Sequence, residues 1–143
     1  MTVKTILSQK GSDVATIAPT ANVADAIKTL CERKIGALVI TGAGGRIIGI
    51  VSERDIVRTF GTYGAAALDM PLTEVMTRKV VTCEPADKMP EIMELMTTGK
   101  FRHLPVLEED RLVGIVSIGD VVKMRLAQLE QEQDALRDYI QTA

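Results

Sequence analysis

The sequence predicts a mixed α+β fold, two β-α-β-β-α units packed about a pseudo-twofold axis, followed by a C-terminal helix. Three observations predict it. The 27-residue stretch VATIAPTANVADAIKTLCERKIGALVI, from Val14, aligns without a gap on VVTCEPADKMPEIMELMTTGKFRHLPV, from Val80. After the loops TGAGG and LEED, RIIGIVSERDIVR from Arg46 meets RLVGIVSIGDVVK from Arg111, with GIVS identical and Asp55 falling on Asp120. Within each copy, helical periodicity lies between short β-rich runs. A change of one residue inside a loop is what a duplicated unit tolerates best. Two copies are too few for a solenoid, so they are expected to face each other in one domain.

The elements follow in order. VKTIL, from Val3, and LTEVM, from Leu72, share apolar positions, and each precedes a first strand by a short spacer. VATI and VVTC open the two units as strands. Pro19 and Pro85 end them, because proline has no N–H for a ladder. Val23, Ile27 and Leu30 recur at helical spacing in the first copy, and Met89, Ile92, Met93 and Met96 in the second. Asn22 is a cap candidate, and Gly36 and Gly99 stand where these helices should stop. ALVI and HLPV are the next strands, with Pro105 marking an edge or a strand end. RIIGIV and RLVGIV are their hairpin partners, and a second helix starts at Ser52 or Ser117. These boundaries give a first repeat with its N-terminal segment over 1–60, a linker over 61–71, a second repeat over 72–123 and a C-terminal helix over 124–143.

In that last helix Val122, Leu126, Leu129, Leu136 and Ile140 form an a/d stripe with Gln133 in the missing position. The stripe fits packing on its own domain, contact with a second copy, or a solvated helix.

Bulk composition excludes several classes. With 46% hydrophobic residues, 25% charged residues and a mean hydropathy of +0.15, the chain is globular. Only 3% of residues are aromatic and none is Trp, so the core must be aliphatic and Met-rich. A net charge of −2 gives no general pull toward nucleic acid or anionic membrane. No run approaches a membrane span, and the opening MTVKTILSQKGSD lacks the apolar stretch of a signal peptide; a cytoplasmic location is expected. Cys31 and Cys83 read as small core residues in a reducing compartment, and one histidine is too few for a zinc site. There is no nucleophile–base pair, paired-carboxylate motif or metal set, so the chain is not expected to be an enzyme.

The chemistry-bearing pattern is GIVS-x-x-D, present as GIVSERD and GIVSIGD. Ser three residues ahead of an acid at a helix start is a capping-box signal. The same helix start can hold an anion, with Ser52 or Ser117 adding a hydroxyl donor. Asp55 or Asp120, one turn in, could accept from a ribose diol. Residues alone do not decide between cap and site. The second copy has Arg102 and His103 where the first has Gly36 and Ala37, so the two equivalent pockets must differ. Arg102 suits bidentate phosphate contact; a surface Arg and a packed His are the plainer alternative.

VMTRKVVTCEP, EIMELMTTGK and FRHLPVLEEDRLVGIVSIGDVV, with the weaker GRIIGIVSERDIV, resemble the cystathionine-β-synthase (CBS) domain family, as a tandem pair over about residues 1–123. The resemblance implies a regulatory module binding an adenine nucleotide (AMP, ADP, ATP or NAD(H)) in clefts between the repeats. It implies ribose contact by Asp55 and Asp120 and phosphate near Ser52 and Ser117. It places backbone around Thr16, Ile17, Ala18 and Thr82 at the base, and Arg102 and His103 in the Asp55 cleft. Arg54 and Ala37 complete the candidate set. Because Gly36 and Ala37 bring no charge to the Asp120 cleft, that cleft ranks second. A homodimer and a regulated protein encoded elsewhere are the implied partners; a ligand-free interaction scaffold is the alternative.

Overall fold

A computed structural model describes residues 1–142. The elements run α1 (Val3–Lys10), β1 (Thr16–Ile17), α2 (Val23–Arg33), β2 (Ala37–Thr41), β3 (Ile47–Ser52), α3 (Glu53–Tyr63), α4 (Leu72–Val75), α5 (Met89–Gly99), β4 (His103–Glu108), β5 (Arg111–Ser117) and α6 (Ile118–Thr142). β1 pairs parallel with β2, and β2 antiparallel with β3. β4 and β5 form the equivalent hairpin. A register shift falls between Ile40 and Thr41 in one hairpin and between Val106 and Leu107 in the other, at matching positions of the duplication. The β4–β5 turn puts Glu109 at φ 50° and Asp110 at φ 62°, the pair of positive φ values that a two-residue type I′ turn needs.

VVTC does not form a strand. Its pairing shrinks to one isolated parallel bridge, Cys83 with Val106. Pro105 gives the reason. In the first copy the Val39 N–H donates to Ala15 O at 3.1 Å. The matching residue in the second copy is Pro105, which has no N–H to give. Only the bonds from Cys83 N to Pro105 O and from Leu107 N to Cys83 O survive, at 3.0 and 2.8 Å.

Asn22 does cap α2: its side chain accepts from Asp25 N at 2.9 Å, and the Asp25 carboxylate accepts from Asn22 N at 3.0 Å. The helix stops differ from the expected glycines. α2 and α5 end on left-handed Lys34 (φ 54°) and Lys100 (φ 57°), and Gly99 is still helical. The segment 61–71 is itself structured: α3 runs on to Tyr63, and Gly64–Asp69 winds into a 3₁₀ segment. The last helix has no break at 124; α6 is continuous from Ile118 to Thr142.

The segments ahead of the repeats exchange places. α1 precedes the first repeat but packs on the second, where Val3 N and Lys4 N donate to Asp87 O and Pro85 O, each at 2.9 Å. Val3 and Ile6 join a core of Cys83, Met89, Ile92, Met96, Leu104, Val106, Val116, Val121 and Met124. α4, ahead of the second repeat, packs on the first. Val23 N donates to Met70 O, Leu72 N donates to Ala21 O, and Leu72 and Met76 complete the core around Leu38, Ile40 and Val51. Gly49 permits this approach, because a Cβ there would overlap the Met76 side chain and lie 3.1 Å from Thr77 O.

Leu72→Ala should therefore cost about 2–5 kcal/mol although it sits in a four-residue helix, because it empties a fully buried site in the first repeat's core. Urea unfolding should show a lowered midpoint at unchanged slope; a loss under about 0.5 kcal/mol would contradict the exchange.

Candidate functional site

Both GIVS-x-x-D turns fold as capping boxes. Strand and helix meet at Ser52, whose extended backbone turns the chain into α3. Its N–H and hydroxyl donate to Asp55 Oδ2 at 2.9 and 3.1 Å, and Asp55 N donates back to Ser52 Oγ at 3.4 Å. Glu53 N donates to Gly36 O, so two of the first three N–H groups of α3 are already satisfied. In the second copy Ser117 N donates to Asp120 Oδ2 and Asp120 N to Ser117 Oγ, at 2.8 and 3.2 Å.

A cavity of about 270 Å³ opens beside the first box, lined from both repeats. Ser52, Glu53, Arg54, Asp55 and Arg58 come from the start of α3; Lys100, Phe101, Arg102 and His103 come from the α5–β4 junction. Gly36, Ile50, Thr77 and Gly99 complete the wall. Four cationic side chains thus face two carboxylates. Asp55 is buried, and its other oxygen, Oδ1, meets Thr77 Oγ1 at 3.3 Å and the Arg58 guanidinium at 3.9 Å. Gly36 keeps the space open, since a Cβ there would lie 3.3 Å from His103 Nε2.

Of the expected residues, the cavity brings together Ser52, Arg54, Asp55, Arg102 and His103. Thr16, Ile17, Ala18, Ala37 and Thr82 do not line it, and neither do Ser117 and Asp120. Ala37 is buried within β2, so its place at the wall is taken by Gly36. Arg58 and Lys100 escaped the sequence reading. Arg58 was within reach of it, standing three residues beyond Asp55 on the same helix face.

The second box is occupied from within. Lys10, at the end of α1, places Nζ 2.7 Å from Asp120 Oδ2 and 2.9 Å from Ile115 O. The pocket left there, lined by Lys10, Asp120 and Lys123 among others, is about 70 Å³. Ile50 and Ile115 are equivalent in the duplication. Thr77 pairs with the Ile50 backbone and reaches Asp55; Lys10 takes the matching acceptors in the second copy.

Burial alone would raise the Asp120 carboxyl, but hydrogen bonds from Lys10 and Ser117 outweigh it and hold the group below its usual 3.8. Burial pushes His103 below its usual 6.5, against the opposing pull of Glu53, so its imidazole is neutral at pH 7. Burial and nearby Asp87 push the Cys83 thiol up to about 12, which leaves it inert, while Cys31 is exposed. No His/Cys/Asp/Glu group suited to a metal occurs among the described residues, and none of their helices is long and apolar enough to cross a membrane.

The CBS domain model matches residues 3–61 and 72–127. The mitochondrial CBS domain-containing protein CBSX3 of Arabidopsis thaliana is 35% identical over 121 residues, covering 82% of this chain; the chain spans 59% of that relative's length. The crystal structure of a CBS-domain containing protein from Agrobacterium tumefaciens is 46% identical, with a TM-score of 0.86 over 87% of this chain and 99% of that one. The structure of CBSX2 in complex with AMP is 26% identical, with a TM-score of 0.72 over 90% of this chain and 98% of that one.

Lys10→Met should raise the Asp120 pKa, because its main stabilising partner goes while burial remains. The sign follows from the depressed value: the stability that Asp120 contributes is present above the unfolded carboxyl's pKa and lost as pH falls through the folded one. Carboxyl-carbon NMR titration of wild type and variant measures the shift; an unchanged or lowered value would contradict the pairing.

Proposed function

The chain belongs to the CBS-domain family, and from that premise we propose that it is a regulatory module holding an adenine nucleotide in the Asp55 cleft, with no chemistry of its own. The observation that carries this is the joint origin of the cavity wall. One repeat brings a carboxylate at a helix start, and the other brings Lys100, Arg102 and His103. A ribose hydroxyl would donate to Asp55 Oδ1, whose present contacts at 3.3 and 3.9 Å are loose. Phosphate would lie among Arg54, Arg58 and Arg102, with Ser52 at its edge. The base would extend past the cavity wall toward the backbone at Thr16, Ile17 and Ala18, which lie outside its lining. AMP in the related CBSX2 structure supports the adenosine class; ADP, ATP and NAD(H) share its adenosine and carry more phosphate for the surplus cations.

The second site, Ser117 and Asp120 with Thr82, would stay empty while Lys10 holds it. A ligand touching both repeats shifts their packing only as far as it binds one arrangement better than another. That packing, read by a homodimer and by a regulated protein in the cytoplasm, would be the signal for energy state. The exposed stripe on α6 favours a second reading, a scaffold that needs no ligand.

Calorimetry with AMP, ADP, ATP and NAD(H) should find micromolar binding, weakened at least about 10-fold by Asp55→Asn and by Arg102→Ala. No binding of any of the four by wild type would favour the scaffold. The pH dependence has a definite sign. Without ligand the unfolded chain protonates His103 first, so stability falls as pH drops through 6.5. A bound phosphate reverses this by favouring the imidazolium, so nucleotide binding should take up a proton and tighten from pH 7.5 to 6. Calorimetry in two buffers of different ionisation enthalpy measures the uptake, which His103→Gln should abolish.

A further inference from the structure

α6 carries two faces, and the fold uses one. Val121 and Met124 are buried in the second repeat's core and Gln128 is half-buried below them. The stripe of Val122, Leu126, Leu129, Leu136 and Ile140 lies about 130° round the helix from that face. Its members are 44–66% exposed, and every residue from 129 to 142 is exposed. Of the three readings open for the stripe, packing on its own domain does not occur; the body claims the neighbouring face instead. An exposed helix end of that length is marginal by itself and needs a partner for its apolar seam.

The charges flanking the seam select the partner. With Leu126, Gln133 and Ile140 at a, and Val122, Leu129 and Leu136 at d, Arg125 and Glu132 fall at g, and Glu130 and Arg137 at e. In a parallel in-register pair, g meets the next e of the other helix. Arg125 then faces Glu130 of the partner subunit, and Glu132 faces Arg137 of the partner subunit, so four ion pairs form and none is repulsive. An antiparallel pair covering the same seam sets Glu130 against Glu130, Glu132 against Glu132 and Lys123 against Arg137. A shorter antiparallel register satisfies the charges but pairs Val122 with Gln133 and leaves Leu136 and Ile140 bare. Gln133 at a is the kind of polar core residue that fixes register at some cost in stability.

We propose that residues 122–140 of α6 form a parallel, in-register, two-stranded coiled coil with a second copy of this chain, holding two nucleotide modules side by side. This rests on the homodimer proposed above and not on the nucleotide.

Single cysteines in a full-length Cys31→Ser background test it, since Cys83 is buried. Gln133→Cys should oxidise to a covalent dimer at least ten times faster than Asp134→Cys, which points away from the seam. Glu130→Lys with Glu132→Lys should abolish that advantage, and adding Arg125→Glu with Arg137→Glu should restore it. All are exposed positions, so the two repeats should stay folded with an unchanged thermal midpoint, and any loss of helical circular dichroism should be no larger than the end of α6 from 129 to 142 accounts for. Equal cross-linking rates in a protein that sediments as a dimer would overturn the parallel pairing and leave the dimer standing. Sedimentation as a monomer would overturn both.

Discussion

Neither repeat closes its own core, and the rest of the architecture depends on that. A hairpin with one or two short helices leaves an apolar face open. Here each opening is closed by the segment that precedes the other repeat: Val3 and Ile6 fill one core, Leu72 and Met76 the other. Two chemically separate cores are thereby tied into one unit, because pulling the repeats apart would uncover both. The cleft along their seam is consequently a fixed feature of the fold. Strands β2 and β4 start at that seam, which is why a Cβ added at Gly36 would come within 3.3 Å of His103 Nε2.

The exchange also breaks the symmetry that the duplication supplies. Both copies present the same acceptors, the isoleucine carbonyl of GIVS and the aspartate one helical turn on. α4 is short, so the chain beyond it meets the first copy's acceptors through Thr77 backbone and a neutral hydroxyl. α1 is twice as long, and its last residue, Lys10, lays an ammonium on the second copy's acceptors. A cation on Asp120 and the leucine of α1 over Gly114 leave little room there. The Asp55 side stays open and gathers an excess of positive charge. The difference between an occupied and an available site thus traces to the length of one helix and the identity of its final residue.

Much of this was legible in the sequence because it is local or repeated. The duplication, the capping residues Asn22, Ser52 and Ser117 and the helical apolar spacings are all short-range signals, and the structure agrees with them. Arg102 and His103 could be placed opposite Asp55 only through the family resemblance, since nothing in their spacing reports a contact across 47 positions. Lys10 gave no signal at all: it contacts Asp120 from 110 residues away, and a lysine at a helix end is ordinarily solvated. The missing strand at VVTC was hidden in a different way. A proline signals an effect on its own strand, whereas the absent N–H of Pro105 removes a bond from the neighbouring one. The apolar stripe of α6 was visible as a pattern, but which face the body would take depended on Val121 and Met124, one step off that pattern.

The central claim is that one ligand touches both repeats at the open cleft. The most direct measurement is an amide NMR titration of the full chain with ADP. The account predicts saturable shifts at residues 52–58 and 100–103 together, at one ligand per chain, with residues 115–124 left in place. Shifts confined to one repeat, or centred on Asp120, would contradict it.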